Sequence, residues 1–245
     1  MKNVGFTLAE ILITLGIIGV VSAMTLPTLF AQINGNKYRA QLKKTISNLS
    51  NAARMSESLY GFDFAGINTT CSANGASDHP DNIRSICAMF NGTLKGTTYY
   101  ETASDIKMQV KGQTQNYAIT SSQFATEHSL TENSSFAFVL ADGTIIMISK
   151  KLGTSECSLS IGDTIKDRYS GNSEMRYCYG YIDVNGAKLP NKEVTCSSGS
   201  NNIEHDTCVV KNDANHMTDI YPVRIHDGIV EPATAAVRYV LKTAK

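Results

Sequence analysis

Glu10 is the only charged residue between Lys2 and Lys37, and it lies inside an apolar stretch. A carboxylate in a membrane helix costs about 2.5–3.5 kcal/mol at the centre and less near an end, so it favours a cationic partner. Proteolysis between Gly5 and Phe6 would create a new ammonium about one helical turn from this carboxylate. These residues therefore indicate processing followed by charge pairing in an apolar environment.

All six cysteines follow the apolar stretch. They form no C-x-x-C pair and have no histidine at zinc-ligand spacing, which disfavours a metal site. Among the possible disulfide connectivities we favour the sequential one, because its first and last bonds close polar loops worth about 3 kcal/mol in the chain-entropy model. Disulfides imply an oxidising compartment. The preferred pairs are Cys71–Cys87, Cys157–Cys178 and Cys196–Cys208.

Sequence motifs for catalysis and for nucleic-acid binding are absent. The five histidines are scattered, and no H-E-x-x-H, G-x-S-x-G or Walker pattern occurs, although a triad assembled from distant residues would leave no such motif. The formal net charge is zero, and the basic cluster at 37–44 contains a single aromatic residue, Tyr38. We therefore expect neither an enzyme nor a nucleic-acid-binding protein.

Residues 6–33 are predicted to form the helix that carries Glu10. Their apolar part exceeds the roughly 20 residues that a helix needs to cross a membrane. At about 1.5 Å per residue, such a helix would be about 40 Å long. Gly16, Gly19 and Pro27 each weaken it, glycine by about 1 kcal/mol and proline by removing a backbone donor. Lipid tolerates these residues only where neighbouring groups compensate.

The segment from Lys2 to Gly5, Phe6-Thr7-Leu8-Ala9-Glu10 and the apolar run through Pro27 closely resembles the processing segment of type IV prepilins and type II secretion pseudopilins. The resemblance implies that residues 1–5 are a leader, which a prepilin peptidase removes after Gly5 on the cytoplasmic side, and that Phe6 is N-methylated. It also implies that Glu10 pairs with the amino terminus of a neighbouring subunit during filament growth. In that family, the segment that matches the stretch from Gly16 and Gly19 to Pro27 can unwind locally.

Two other interpretations of the amino terminus remain open at this point. A secretory signal peptide would use Val21-Ser22-Ala23 as its cleavage site, but Glu10 and the apolar residues beyond that site argue against it. The second interpretation is a transmembrane anchor that no protease cleaves. The basic residues at 37–44 would place the body in the cytoplasm under the positive-inside rule. The processing motif and the cysteines favour the opposite orientation, with the body outside the cytoplasm.

The helix is predicted to continue through residues 34–60 as an amphipathic extension. Apolar residues recur there at three- and four-residue spacing, and Asn34-Gly35-Asn36 predicts an interruption. Tyr60-Gly61 predicts the end of the helix. These apolar residues form one stripe along the helix, and we expect this stripe to pack on the chain's own domain. A helix lying on the membrane surface is the alternative. The stripe contains Leu42, Ile46, Leu49, Ala53 and then Met55 or Leu59.

Residues 61–245 are predicted to form one disulfide-containing, β-rich domain. A short helix is expected near 82–90, with Asp81 as its cap, and a last helix at 233–242, opened by Pro232. Strands at 136–140 and 144–149 flank Ala141-Asp142-Gly143, a hairpin signal. Further pairing units are expected at 178–184 with Asn185-Gly186, and at 220–226 with Asp227-Gly228 and residues 229–230. Together they predict an antiparallel sheet.

Two carboxy-terminal blocks, at 182–191 and 218–232, resemble the end of many pilin-like proteins. There the two blocks tend to lie closer together than here. By this resemblance Asp183, Asn185 and Asp219 are candidate calcium ligands, since some pseudopilins hold calcium in a loop near the sheet. The alternative is that a D-x-N-G turn needs these residues for its backbone alone, and the EF-hand pattern is not met. No other cofactor is expected.

The sequence therefore predicts an α+β, pilin-like protein, in which a long amino-terminal transmembrane helix packs on an antiparallel sheet. The expected function is that of a structural subunit of a type IV pilus or type II secretion pseudopilus. Its expected partners are other subunits, the prepilin peptidase, an inner-membrane assembly platform and lipid. A minor subunit at the filament tip, binding a surface, a secreted substrate or DNA, is the alternative. The expected location is the inner membrane with an extracytoplasmic domain, and a periplasmic or cell-surface filament after assembly.

Overall fold

The computed structural model of the protein describes residues 7–119, 128, 130–152, 178–211, 213 and 216–243. These residues form three α-helices: α1 (Leu8–Tyr60), α2 (Ile86–Thr93) and α3 (Ala235–Lys242). They also form eight strands: β1 (Thr98–Tyr100), β2 (Lys107–Val110), β3 (Gln113–Asn116), β4 (Ser135–Val139), β5 (Ile145–Ser149), β6 (Cys178–Asp183), β7 (Ile220–His226) and β8 (Ile229–Pro232). The α+β prediction is confirmed.

Helix α1 runs for 53 residues without a break, so the predicted interruption at Asn34-Gly35-Asn36 is wrong. The helix begins in a capping box, in which Thr7 and Glu10 satisfy each other's backbone N–H groups. It ends at Gly61, whose positive φ of 74° terminates the helix as expected. Packing overrides local propensity at 34–36, because residues on both sides of this stretch, from Ala31 to Leu42, lie against the body of the protein.

The carboxy-terminal half of α1 packs one face on the sheet, as the predicted stripe required. Leu42, Leu49 and Ala53 are buried, but Met55 and Leu59 are exposed, so the predicted end of the stripe is wrong. The buried face continues instead through small residues, because a period of 3.6 moves the contact line around the helix. The buried residues of α1 are Ala31, Leu42, Thr45, Leu49, Ala52, Ala53 and Ser56.

Six strands form one antiparallel sheet in the order β1-β4-β5-β6-β7-β8, and β2 pairs with β3 in a separate ribbon. The two hairpins predicted at Asp142-Gly143 and Asp227-Gly228 are confirmed as β4–β5 and β7–β8. The Asn185-Gly186 turn follows β6 but opens a long connection, residues 184–219, before β7. Strands β1, β2 and β3 were not predicted, since they are only three or four residues long.

The sheet separates two hydrophobic clusters. The larger cluster contains buried residues of α1, α2 and α3 together with one face of the sheet. The smaller lies on the other face, where Tyr117, Leu130 and Met108 cover β5 and β6. The sheet is therefore covered on both sides, which explains why β5 has buried side chains in both directions.

Both short helices begin later than the sequence predicted. Ser85 caps α2, and its hydroxyl accepts from the backbone of Ala88, so Asp81 is not the cap. Thr234 caps α3, while Pro232 is the last residue of β8 and does not open the helix. Serine and threonine in extended backbone at this position accept the unpaired N–H groups of the first turn.

Two of the three predicted disulfides are present among the described residues. Cys71–Cys87 ties the loop after α1 to α2, and Cys196–Cys208 closes a loop in the connection between β6 and β7. Cys178 is also disulfide-bonded, and its predicted partner Cys157 lies outside the described residues.

Candidate functional site

The amino-terminal half of α1 is an exposed apolar helix, here called the free half and defined as residues 8–30. Its large side chains are 44–79% exposed, from Ile11 to Leu8. In the part of the chain that the structure describes, α1 is the one helix long and apolar enough to cross a membrane. An exposed apolar surface of this size indicates contact with a membrane or with other protein.

Glu10 lies at the amino-terminal tip of the free half. Its Oε2 accepts from the backbone N–H of Thr7 at 2.8 Å and from the Thr7 hydroxyl at 2.9 Å. No cation contacts it within the described residues, and Gly5 and Phe6 lie outside them. The carboxylate is therefore hydrogen-bonded locally but carries an uncompensated charge at the edge of an apolar surface.

Gly16 and Gly19 lie on the free half, and nothing in the fold of the chain itself requires glycine there. A Cβ atom at either position would meet no other atom within 4 Å. Both residues are helical, so a positive φ is not the reason either. Small residues in an apolar helix allow another helix to approach closely. The two glycines therefore suit close contact with another helix.

Pro27 also lies within the helix, where it removes the hydrogen bond to the carbonyl of Ala23. The two threonine hydroxyls around it find acceptors within the helix. The Thr25 hydroxyl donates to the Val21 carbonyl at 2.9 Å, and the Thr28 hydroxyl donates to the Thr25 carbonyl at 2.8 Å. Helix α1 therefore remains continuous at the proline. A continuous helix is compatible with apolar surroundings.

The predicted calcium ligands come together where β6 ends and β7 begins; we call Asp183, Asn185 and Asp219 the acidic site. Asp183 Oδ2 accepts from the Tyr117 hydroxyl at 2.7 Å, and Oδ1 accepts from the backbone N–H groups of Asn185 and Gly186. The chain places both aspartates in the interior, fully buried. Asp183 opposes Ile220 in the register, so Asp219 lies next to it.

Asp219 anchors the other wall of the acidic site. Its two carboxylate oxygens accept from the backbone N–H groups of Lys192 at 2.7 Å and Asn191 at 2.9 Å. Its own backbone carbonyl accepts from Val184. The site therefore joins the beginning and the end of the connection between β6 and β7.

Burial raises the pKa of both carboxyl groups. The pKa of Asp183 lies well above its usual range because of burial and then the negative charge of Asp219, while hydrogen bonds from Tyr117 and from the backbone oppose the rise. The pKa of Asp219 rises to about 6 because of burial, against the hydrogen bonds from Lys192 and Asn191. Two adjacent carboxylates are difficult to ionise together in the interior.

The residues of the acidic site offer the kinds of oxygen donor that calcium takes. Asn185 Oδ1 is buried without a hydrogen-bond partner, although its Nδ2 donates to the Tyr38 hydroxyl at 3.1 Å and to the Leu189 carbonyl. Neither aspartate forms an ion pair within the described residues. Carboxylate and amide oxygens are the donors that calcium prefers, and a cation would compensate the paired negative charges.

A second cluster of potential ligands does not form a metal site. Cys71, Asp78 and Cys87 place ligand atoms within 4.8 Å of one another. The two sulfur atoms are joined in a disulfide, so neither is a thiolate. The Asp78 carboxylate accepts from the hydroxyls of Ser72 and Ser85, the cap of α2. It therefore has a structural role.

Sequence reasoning missed Tyr117 and Tyr38 as members of the acidic site. Tyr117 follows the unpredicted strand β3, and its contact with Asp183 spans 66 residues. Tyr38 reaches Asn185 across 147 residues. Neither tyrosine lies at a spacing from the aspartates that would indicate a contact.

The chain matches no protein-family model, no curated protein and no solved structure.

The raised pKa of Asp219 predicts that the metal-free protein loses stability as pH rises. In the unfolded chain this carboxyl ionises near pH 3.9, whereas in the fold it ionises near 6. The unfolded state therefore releases its proton first, and the free energy of unfolding falls on the order of 2 kcal/mol between pH 4 and 7. We expect a shallower pH dependence in Asp219→Asn, measured by urea unfolding with a chelator present.

The matched control is Asp81→Asn, which changes an exposed aspartate paired with His79. It should keep the pH dependence of the original protein. Equal slopes in Asp219→Asn and in the unaltered protein would contradict the assignment.

Proposed function

We propose that this protein is a structural subunit of a type IV pilus or type II secretion pseudopilus. The observation that carries the proposal is the division of α1, whose residues 8–30 are apolar and exposed while its later residues pack on the sheet. A continuous helix of this kind anchors a folded domain in the membrane and presents an apolar surface to the same helix of other subunits. The resemblance of residues 2–27 to prepilins supports this interpretation.

In the proposed mechanism, a peptidase cuts between Gly5 and Phe6, and the new amino terminus is methylated. The subunit waits in the membrane with its free half in lipid. Assembly then moves the free half from lipid into a bundle of identical helices, which bury one another's apolar side chains. The processed chain acts by assembly and not by catalysis.

Glu10 makes this assembly selective. Among the described residues, the carboxylate has only local hydrogen bonds from Thr7. Burying it in an apolar bundle without a cation would be strongly unfavourable. The amino-terminal ammonium of a neighbouring subunit supplies that cation, so a subunit inserts only where this pairing is made. The small surfaces at Gly16 and Gly19 allow the helices to approach.

The alternative is a minor subunit at the filament tip. The connection between β6 and β7 favours it, because this long segment carries its own disulfide, Cys196–Cys208, and exposes polar residues. Such a loop suits recognition of a surface or of a secreted substrate. Abundance distinguishes the two roles, since a major subunit lines the whole filament and a tip subunit is rare.

We also propose that the acidic site holds calcium, with Asp183, Asn185 and Asp219 as its side-chain ligands. The ion would neutralise the two buried carboxylates. It would thereby hold the connection between β6 and β7 against the sheet. The support is that Asn185 Oδ1 is buried without a hydrogen-bond partner, and that the carboxylates of Asp183 and Asp219 have no cation among the described residues.

Processing is tested by the mass of the intact chain and of its amino-terminal peptide, taken from the native membrane with and without the peptidase. We expect a mature chain that begins at Phe6 and is heavier by one methyl group. Loss of the peptidase should leave Met1 in place. A chain that begins at Met1 in the presence of the peptidase, or at Met24, would contradict assembly by this mechanism.

The role of Glu10 is tested by Glu10→Ala. The variant should be processed normally, because the cleavage site is unchanged, but should assemble at least about tenfold less well, since the neighbour's ammonium would stay unpaired in an apolar interior. Glu57→Ala is the control, because Glu57 is an exposed residue of the same helix. Sheared filaments and membranes are compared by immunoblot. Undiminished filaments from Glu10→Ala would remove this residue from the mechanism.

Calcium binding is tested by thermal unfolding at pH 7.5 with calcium or with a chelator. Calcium at about 100 times its Kd adds about 2.7 kcal/mol, which corresponds to roughly 5–10 °C in Tm for a domain of this size. Magnesium should have little effect, and Asp183→Asn should abolish the shift while Asp81→Asn keeps it. An equal Tm with calcium and with chelator would exclude the site.

A further inference from the structure

A cavity of about 630 Å³ lies where α1, α3 and the segment before β7 meet. Tyr38 and Arg39 of α1 form one wall, Lys211 lies on the second, and Tyr239 of α3 lies on the third. The volume is within the range of small-molecule sites, roughly 300–1,000 Å³. The walls combine aromatic rings with cationic side chains, a lining that suits an amphipathic anion.

Arg39 is the central polar group of this cavity. Its Nη2 donates to the carbonyl of Leu241 at 3.4 Å, a long hydrogen bond. Its Nε is buried and has no hydrogen-bond partner. A guanidinium presents its donors in a fork that matches phosphate oxygens. Arg39 therefore brings a guanidinium, held by one long hydrogen bond, to the wall of a cavity large enough to admit an anion.

The charge around Arg39 is positive. Lys211 also lines the cavity and forms no ion pair within the described residues, and none of the described lining residues is acidic. His216, a third lining residue, is paired with Asp213 at 2.7 Å. The cavity thus carries an excess of cationic groups, which attracts an anion.

The position of the cavity along α1 indicates which kind of anion can reach it. This step rests on the membrane placement of α1 in the proposed function. If the hydrocarbon core ends near Ile33, Tyr38 and Arg39 lie about 8–9 Å farther along the helix axis, at about 1.5 Å per residue. The headgroup layer extends roughly 5–8 Å beyond the hydrocarbon on each side. The cavity therefore opens at or next to the depth of lipid phosphates.

We propose that this cavity binds the headgroup of an anionic phospholipid while the subunit is in the membrane. The phosphate contacts Arg39 and Lys211, and the acyl chains lie along the exposed apolar surface of the free half. The helix of a neighbouring subunit fits this cavity less well, because its free half carries no anion except Glu10 at the far end. A bound lipid would fix the height of the domain above the membrane before assembly.

The test uses the full-length, unprocessed chain in a nonionic detergent, titrated with phosphatidylglycerol or phosphatidylcholine and observed by native mass spectrometry. We expect one phosphatidylglycerol per chain, bound at least fivefold more tightly than phosphatidylcholine. Arg39→Gln and Lys211→Gln should each weaken it about fivefold, the effect of one basic residue near an anionic lipid. Arg39→Lys should bind phosphatidylglycerol more tightly than Arg39→Gln and less tightly than the unaltered protein, which separates loss of charge from loss of the guanidinium fork.

Lys107→Gln is the matched control, because Lys107 is an exposed lysine of β2, on the other face of the sheet from α1. Equal weakening by this control would overturn the site, as would equal binding of the two lipids. Competition by soluble glycerol phosphate at similar concentration would show a free-anion site and overturn the lipid assignment. The assay needs neither processing nor filaments, so its failure is distinguishable from failure of the proposed function.

Discussion

The structure depends on the rigid helix α1. The rest of the chain covers only the carboxy-terminal half of this helix. Residues 31–60 of α1 pack on the sheet, while residues 8–30 expose leucine, isoleucine and valine side chains along the helix. At about 25 cal/mol per Å², so large an apolar surface is strongly unfavourable in water. This half therefore favours contact with lipid or with other helices over exposure to water.

The sheet domain holds the helix at a fixed orientation through contacts that are distant in sequence. The Lys44 ammonium and the Gln41 amide both reach Asp142 in the β4–β5 turn, at 2.8 and 2.6 Å. On the other side, the backbone N–H of Val230 donates to the Ser50 hydroxyl. These contacts join α1 to both hairpins, so a force on the free half is transmitted to the whole sheet.

Sequence patterns predicted the elements that depend on local chemistry. Asp142-Gly143 and Asp227-Gly228 indicated the two hairpins, because such turns need residues that tolerate positive φ, and φ is 86° at Gly143 and 45° at Asp227. The uninterrupted helix at Gly35 was not predictable, since packing overrides glycine there. Asp183 and Asp219 were proposed as ligands, but their burial and the contact with Tyr117 depend on tertiary pairing that spacing does not encode.

Tyr38 connects the two sites that face this helix. Its hydroxyl accepts from Asn185 Nδ2 in the acidic site, and the same side chain lines the cavity beside Arg39. A cation that oriented the Asn185 amide would also orient Tyr38, and through it one wall of the cavity. The turn beyond Asn185 is equally constrained, because a Cβ on Gly186 would lie 2.3 Å from the Gly143 carbonyl oxygen. The acidic site, the β4–β5 turn and the cavity are therefore joined through Tyr38, Asn185 and Gly186, on the part of α1 that follows its exposed apolar half.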